Sequence, residues 1–217
     1  MKAVKFLFLA LVACTVCLTS CKKEEGGNGG NGGNGGNDGR VAEGKAKVVF
    51  GDQDWYIGWS DCGIVEQSGK QILFVNAAPS EPTSAFPMLY FTVTAETGRH
   101  MASTDQALFM MFFKEKTFNL VDQNGNPILR NAADYWAGNG PVAMGTANIE
   151  IASIDASNLT VDLTGEGTFW NAMTYLQSEQ VQEVKYKLDF NKFKLTPRSS
   201  KDMAPVSMAQ ASQTIVF

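Results

Sequence analysis

The sequence predicts an all-β protein, an antiparallel β-sandwich with a β-barrel as the alternative, and three observations carry that expectation. Val184, Tyr186, Leu188 and Phe190 alternate with Lys185, Lys187 and Asp189, so one face of that segment is apolar and the other wet. Turn-forming residues recur at short intervals: Asn124-Gly125 before Pro127, Asp155 to Asn158, Gly165 and Gly167, and Asn191-Lys192. The best helix candidate is a single stretch, residues 171–184, and its Thr, Tyr and Val suit a strand nearly as well. Uneven strand lengths favour the sandwich.

In chain order, the same period places strands near residues 46–50, 71–75, 88–94, 107–113, 117–121, 148–154, 159–164 and 184–190. Met110 to Phe113 is apolar without a break, which predicts a central strand covered on both faces. Asp52 and Asp54 are expected in a turn. Asp122, Asn124 and Asn126 match the first ligand positions of a calcium loop. Pro127 then stands where the loop needs Gly and Ala133 where it needs a bidentate Glu, so a hairpin turn is expected there instead.

Length and composition bound the rest. The chain has 217 residues, 44% apolar and 18% charged, enough for one ordinary domain and too apolar for a charged disordered protein. A formal net charge of -4 disfavours nonspecific binding to phosphate backbones, so no nucleic-acid partner is expected. Four segments follow: 1–20, 21–39, 40–198 and 199–217. In the first, Lys2 and Lys5 precede a thirteen-residue run, 6–18, apolar except for Thr15 and shorter than the ~20 a bilayer-crossing helix needs. It reads as a secretory signal peptide. In the second, four Gly-Gly-Asn triplets, residues 26–37, are followed by Asp38 and Gly39. No side chain there fills a core, so a flexible tether is expected, with a typical span of ~20 Å and a taut limit of ~50 Å.

The signal ends in Leu18-Thr19-Ser20-Cys21, which resembles the lipobox of bacterial lipoproteins. That resemblance implies lipid attachment at Cys21 and anchoring by two or three acyl chains, each buried methylene adding ~0.8 kcal/mol. A plain secretory peptide is the alternative. Lys23, Glu24 and Glu25 behind the cysteine resemble the signal that sends Bacteroidetes lipoproteins to the outer face of the outer membrane; a solvated start to the tether is the other reading. Within residues 40–198, an early strand with Trp55, then Gly145 to Ile151, Ile154-Asp155 and residues 159–169 with Gly165, Gly167 and Thr168 resemble small β-rich Bacteroidetes lipoproteins of unassigned function. The resemblance implies fold and habitat and carries no catalytic residue. The expected localisation is the outer membrane, lipid-anchored and at the cell surface, with the periplasm-facing leaflet as the alternative.

Catalysis is not expected. His100 is the sole histidine to serve a Ser or Cys nucleophile, and beside Arg99 it reads as a surface residue whose imidazole a neighbouring cation keeps neutral. One His and one unassigned Cys do not make a zinc site, so neither metal nor cofactor is expected. Once Cys14, Cys17 and Cys21 are accounted for, Cys62 stands alone and is expected to be buried as a small apolar residue. The remaining surface candidates are aromatic. Trp55, Tyr56 and Trp59 crowd one stretch, where Trp55 and Trp59 share a face that is expected to meet the core. Tyr135 and Trp136 lie in a segment, 131–140, whose Asn, Asp, Ala and Gly read as a loop. Two rings to stack on a sugar, with Asp134 and Asn139 to bond its hydroxyls, suit binding of extracellular glycan; core packing is the other reading, and a protein partner the other ligand class. Finally, Thr214 to Phe217 is a β-prone end on a Ser-, Met-, Ala- and Gln-rich arm. Such an arm returns to its own sheet, frays, or adds a strand to a neighbour. The last option resembles the fimbrillins, β-sandwich lipoproteins that are usually much longer, with Arg40 as a cleavage point behind the tether.

Overall fold

The computed structural model describes residues 39–80, 87–196 and 213–217. The expected signal peptide, Cys21, Lys23, Glu24, Glu25, the tether to residue 38 and residues 199–212 of the arm lie outside the described residues. The elements in order are β1 (Lys45–Phe50), β2 (Gln53–Tyr56), β3 (Trp59–Gln67), β4 (Lys70–Ala78), β5 (Met88–Thr94), β6 (Gly98–Met101), β7 (Phe109–Val121), β8 (Pro127–Gly138), β9 (Thr146–Asp155), β10 (Thr160–Asn171), α1 (Ala172–Leu176), β11 (Glu183–Lys194) and β12 (Gln213–Val216). Hydrogen bonds link them in the order β2-β1-β11-β10-β8-β7-β5-β4-β3, with β9 also on β10, β6 beyond β9, and β12 on β7. The all-β expectation holds. The sheet is antiparallel except for β12 and curls strongly into a half-barrel, a form between the sandwich and the barrel. Cys62 N–H donates to the Thr196 carbonyl at 3.0 Å, which brings β3 at one end of the strand order against the chain leaving β11.

The main core fills the inside of the curl. Phe50 stacks on Phe112 with centroids 4.0 Å apart, and Phe91, Phe169, Leu188 and Phe190 close around them. Each buried ring or aliphatic side chain of this kind contributes about 1.5–3 kcal/mol. A second core lies on the other face of β7 and β8. There Met111, Phe113, Phe118, Leu120 and Trp136 pack with Ala172 and Met173 of α1 and Ile215 of β12. Met110 and Phe112 face one core, Met111 and Phe113 the other, which is why that run shows no alternation.

The strand expected at residues 88–94 coincides with β5, and those at 46–50, 71–75, 148–154 and 184–190 lie inside longer strands. Three expectations need correction. The segments 107–113 and 117–121, apart from Ala107 and Leu108, are two arms of one strand, β7. Its register against β8 shifts between Phe112 and Thr117, so Lys114, Glu115 and Lys116 form a bulge. The helix expected over 171–184 shrinks to the five residues of α1. Asn171 caps it by accepting from Thr174 N–H at 3.1 Å, and Ser178 turns out of helical space at φ 57° before β11 begins. The loop expected over 131–140 is mostly strand β8.

Candidate binding groove

The outward residues of five neighbouring strands are set in register by the sheet. Lys47 of β1 faces Asp189 of β11, Asp189 faces Thr164 of β10, Thr164 faces Glu150 of β9, and Glu150 faces Arg99 of β6. A second row runs Val49, Lys187, Glu166, Asn148, Met101 across the same strands. These rows, apart from Met101, line a groove of about 690 Å³, walled along one side by Gly39, Arg40 and Val41. Strand neighbours on one face stand ~5 Å apart, so side chains along each row can share a ligand. Glycines keep the β9–β10 ladder close. A Cβ on Gly167 would lie 2.1 Å from the Thr146 carbonyl oxygen, and one on Gly145, which turns at φ +55°, 2.1 Å from that of Thr168.

Some of the charges are committed. Arg40 donates to Asp189 from Nε at 3.0 Å and Nη2 at 2.7 Å, to Asp162 from Nη1 at 2.6 Å, and to the Leu163 and Phe190 carbonyls at 3.3 and 3.0 Å. Partial burial pulls its pKa down, but the bonds to Asp162 and Asp189 outweigh that and hold it above the ordinary value. Val41 N–H donates to Asp189 Oδ2 at 2.7 Å, and Asn191 donates to the Val41 carbonyl at 2.7 Å. The chain is thereby stapled to the groove's rim where it enters the domain. Lys47 pairs with Asp54 and lies 5.6 Å from the Tyr56 ring centre; Asp54 belongs to β2 and not, as expected, to a turn. Arg99, Lys187, Glu150 and Glu166 remain. Each is exposed, and none makes a side-chain ion pair or hydrogen bond among the described residues.

The residues singled out for glycan binding lie elsewhere. Trp136 is fully buried and stacks on Phe118 at 5.7 Å in the second core; Tyr135 is buried edge-on to Phe50 at 5.1 Å in the first. Alternation on β8 sends the two rings to opposite faces, so they form no common platform. Asp134 is buried and accepts from Lys114 N–H at 2.9 Å and Glu115 N–H at 3.1 Å, replacing the ladder partners that the β7 bulge loses. Burial pushes its carboxyl up against the downward pull of those amides. Asn139 uses its amide to hold the Ala102 and Asp105 carbonyls at 2.7 and 2.9 Å. Trp55 is half-buried against the core, beside Phe112, and Tyr56 is 56% exposed on β2, in line with the first groove row.

His100 also differs from expectation. It is 8% exposed, on the core-facing side of β6, while Arg99 points into the groove. Its Nδ1 lies 2.9 Å from Asp105 Oδ2 and its Nε2 2.8 Å from the Glu96 carbonyl, so neither nitrogen is left to serve a nucleophile. Cys62 is buried as expected. Burial, helped by Asp61, pushes its thiol up to about 12. Asp122 accepts from the backbone of Asn124 and Asn126 at 2.9 and 2.8 Å, the hairpin turn read from the sequence. No protein-family model, curated protein or solved structure matches this chain.

Proposed function

We propose that the protein is a lipid-anchored lipoprotein of the outer membrane, displayed at the cell surface, and a non-catalytic binding module that holds a neutral extracellular glycan along the groove. The observation that carries this reading is the array of Arg99, Lys187, Glu150 and Glu166, two cations and two anions with no side-chain ion pair or hydrogen bond among the described residues, around Asn148 and Thr164. Sugar hydroxyls both donate and accept, so adjacent donors and acceptors satisfy them in pairs. The balance of signs gives no net field to draw a phosphate or a polyanion. Tyr56 supplies an exposed ring at the end of the same row. From β2 to β6 that row crosses five strand spacings, ~24 Å along the curl, room for a chain of sugars rather than one. The anchor reading rests on Leu18-Thr19-Ser20-Cys21 and the charged residues behind it.

A glycan and mucin array exposed to the chain carrying Cys21→Ser tests the ligand. The expected result is retention on a neutral glycan, lost in the Glu150→Ala/Lys187→Ala double variant, which leaves both cores untouched. Retention that is indifferent to that variant, or seen only on a protein, contradicts the glycan reading. Palmitate labelling of the wild type, absent in Cys21→Ser, tests the anchor, and protease access in whole cells separates the outer face from the periplasm-facing leaflet.

A second reading, a structural or adhesive subunit of fimbrillin type, has one observation in its favour. β12 is the only parallel strand among those described. It sits on Phe118–Val121 of β7 beyond the point where β5 stops, and Ile215 is its one buried side chain while Val216 and Phe217 are exposed. A strand held so lightly suits exchange between copies. Concentration-dependent oligomers that vanish when residues 207–217 are deleted support this reading, and a monomer at every concentration refutes it. Arg40, engaged by five hydrogen bonds, is a poor cleavage point.

A further inference from the structure

The wall of the groove formed by β6 is attached to the sheet by four residue pairs with β9, on one edge only among the described residues. What else holds it is a buried cluster on its inner side. Asp105 Oδ1 accepts from Thr94 Oγ1 at 2.8 Å and Ala107 N–H at 2.9 Å, and Oδ2 accepts from Thr94 N–H at 3.0 Å and faces His100 Nδ1 at 2.9 Å. A carboxylate ringed by donors is an acceptor only, so Nδ1 carries a hydrogen. The Glu96 carbonyl opposite Nε2 is likewise only an acceptor, so Nε2 carries one too. With both nitrogens facing acceptors, His100 ties the β5–β6 turn to the loop after β6.

We propose that this doubly donating His100 is a pH-sensitive latch on the groove: when the ring loses a proton, either the buried Asp105 carboxylate or the part-buried Glu96 carbonyl loses a donor, β6 loosens from β9, and Arg99 leaves its register with Glu150. This concerns regulation of the groove and rests on the groove being the binding surface. The groups that face the ring are few. Thr94 of β5 and Ala107 of the loop after β6 reach it only through Asp105. Glu96 contributes its carbonyl, Ile149 of β9 lies opposite in register and is apolar, and Asn139 after β8 holds the Asp105 carbonyl. Asp105 is the one carboxylate in contact among the described residues, and Arg99 projects from the other side of the strand. Although burial raises it, the Asp105 carboxyl is held below its ordinary value by the Thr94 and Ala107 amides, the Thr94 hydroxyl and His100. It therefore remains an acceptor when the ring gives up a proton, and the device works in one direction: closed at lower pH, looser at higher pH.

The chain has one histidine, so in the full chain, prepared without a histidine tag, a single imidazole signal follows the latch by NMR. At pH 5 the expected spectrum has both ring N–H groups protected from exchange. As pH is raised from there the protection factors of Arg99 to Met101 fall about tenfold or more, as loss of one hydrogen bond requires, while those of β4 stay level. In His100→Gln the pH dependence disappears. Three results overturn the proposal: one ring N–H at low pH, protection in β6 that tracks β4 throughout, or coincident pH profiles in wild type and His100→Gln. None of these readouts uses a ligand, so an array without a retained glycan refutes the groove reading and leaves the latch to be judged by β6 alone.

Discussion

Replacing Asp134 with Ala separates two roles for one side chain. As a sugar ligand on a loop, the carboxylate would be dispensable to the fold. As the plug of the β7 bulge, it satisfies the amides of Lys114 and Glu115. Removing it leaves two partly buried N–H groups without an acceptor, at ~1–3 kcal/mol each, and partial access of water puts both near the low end, ~2 kcal/mol in all. Relief of a buried charge works the other way, because burial holds the Asp134 carboxyl above its ordinary value. The sign follows from that shift. Above the unfolded value the ionised carboxylate costs stability, and the cost fades as pH falls through the raised folded value. At neutral pH a net loss of ~1–2 kcal/mol is expected for Asp134→Ala, a shift of about 0.5–1 M in the urea midpoint at m of ~2 kcal/mol/M. Amide exchange should quicken at Lys114 and Glu115 before it does at β4. An unchanged midpoint with unchanged exchange at those two amides would refute the bulge-plug account.

Other expectations are narrower. Trp136→Ala should cost ~3–5 kcal/mol in equilibrium unfolding, since the ring is fully buried, whereas a surface stacking residue would leave stability alone. Gly167→Ala should cost ~1–3 kcal/mol by overpacking the β9–β10 ladder, read by thermal melting. Arg40→Ala should open the Arg40–Val41 region to proteolysis while the rest of the domain stays resistant, as limited digestion with a protease not selective for Arg would show. Acid unfolding should have a contribution from Asp105. Its lowered folded value gives stability that is present above the unfolded value of ~3.9 and lost as pH falls through the lower folded one. Asp105→Asn should flatten that part of the stability–pH curve.

The fold was legible where one face of a strand meets water. β1, β9 and β11 show their period because their outward residues are mostly polar, among them Lys45, Lys47, Asn148, Glu150, Lys185, Lys187 and Asp189. β8 was hidden for two reasons. Ala132, Ala133 and Asp134 are poor strand formers, and both faces of this strand are buried, so no wet face remains to alternate. β6, at four residues, is too short for a periodic signal. The Lys114-Glu115-Lys116 interruption that looked like a break between strands marks a bulge, and the acid that fills it stands twenty residues away from Lys114. The groove lay in the polar half of each alternation, visible strand by strand. Its convergence depends on register between segments as distant as Arg99 and Glu150, which periodicity does not encode. For His100 a local clue existed: an acidic residue five positions on, Asp105, meets the ring at 2.9 Å, while the adjacent Arg99 lines the groove.

The most direct measurement is a titration of ¹⁵N-labelled protein with the glycan best retained on the array, followed by chemical-shift changes residue by residue. The account predicts that the shifts concentrate at Arg99, Asn148, Glu150, Thr164, Glu166 and Lys187. Shifts centred on β8 and β12, or spread evenly over the domain, would contradict it.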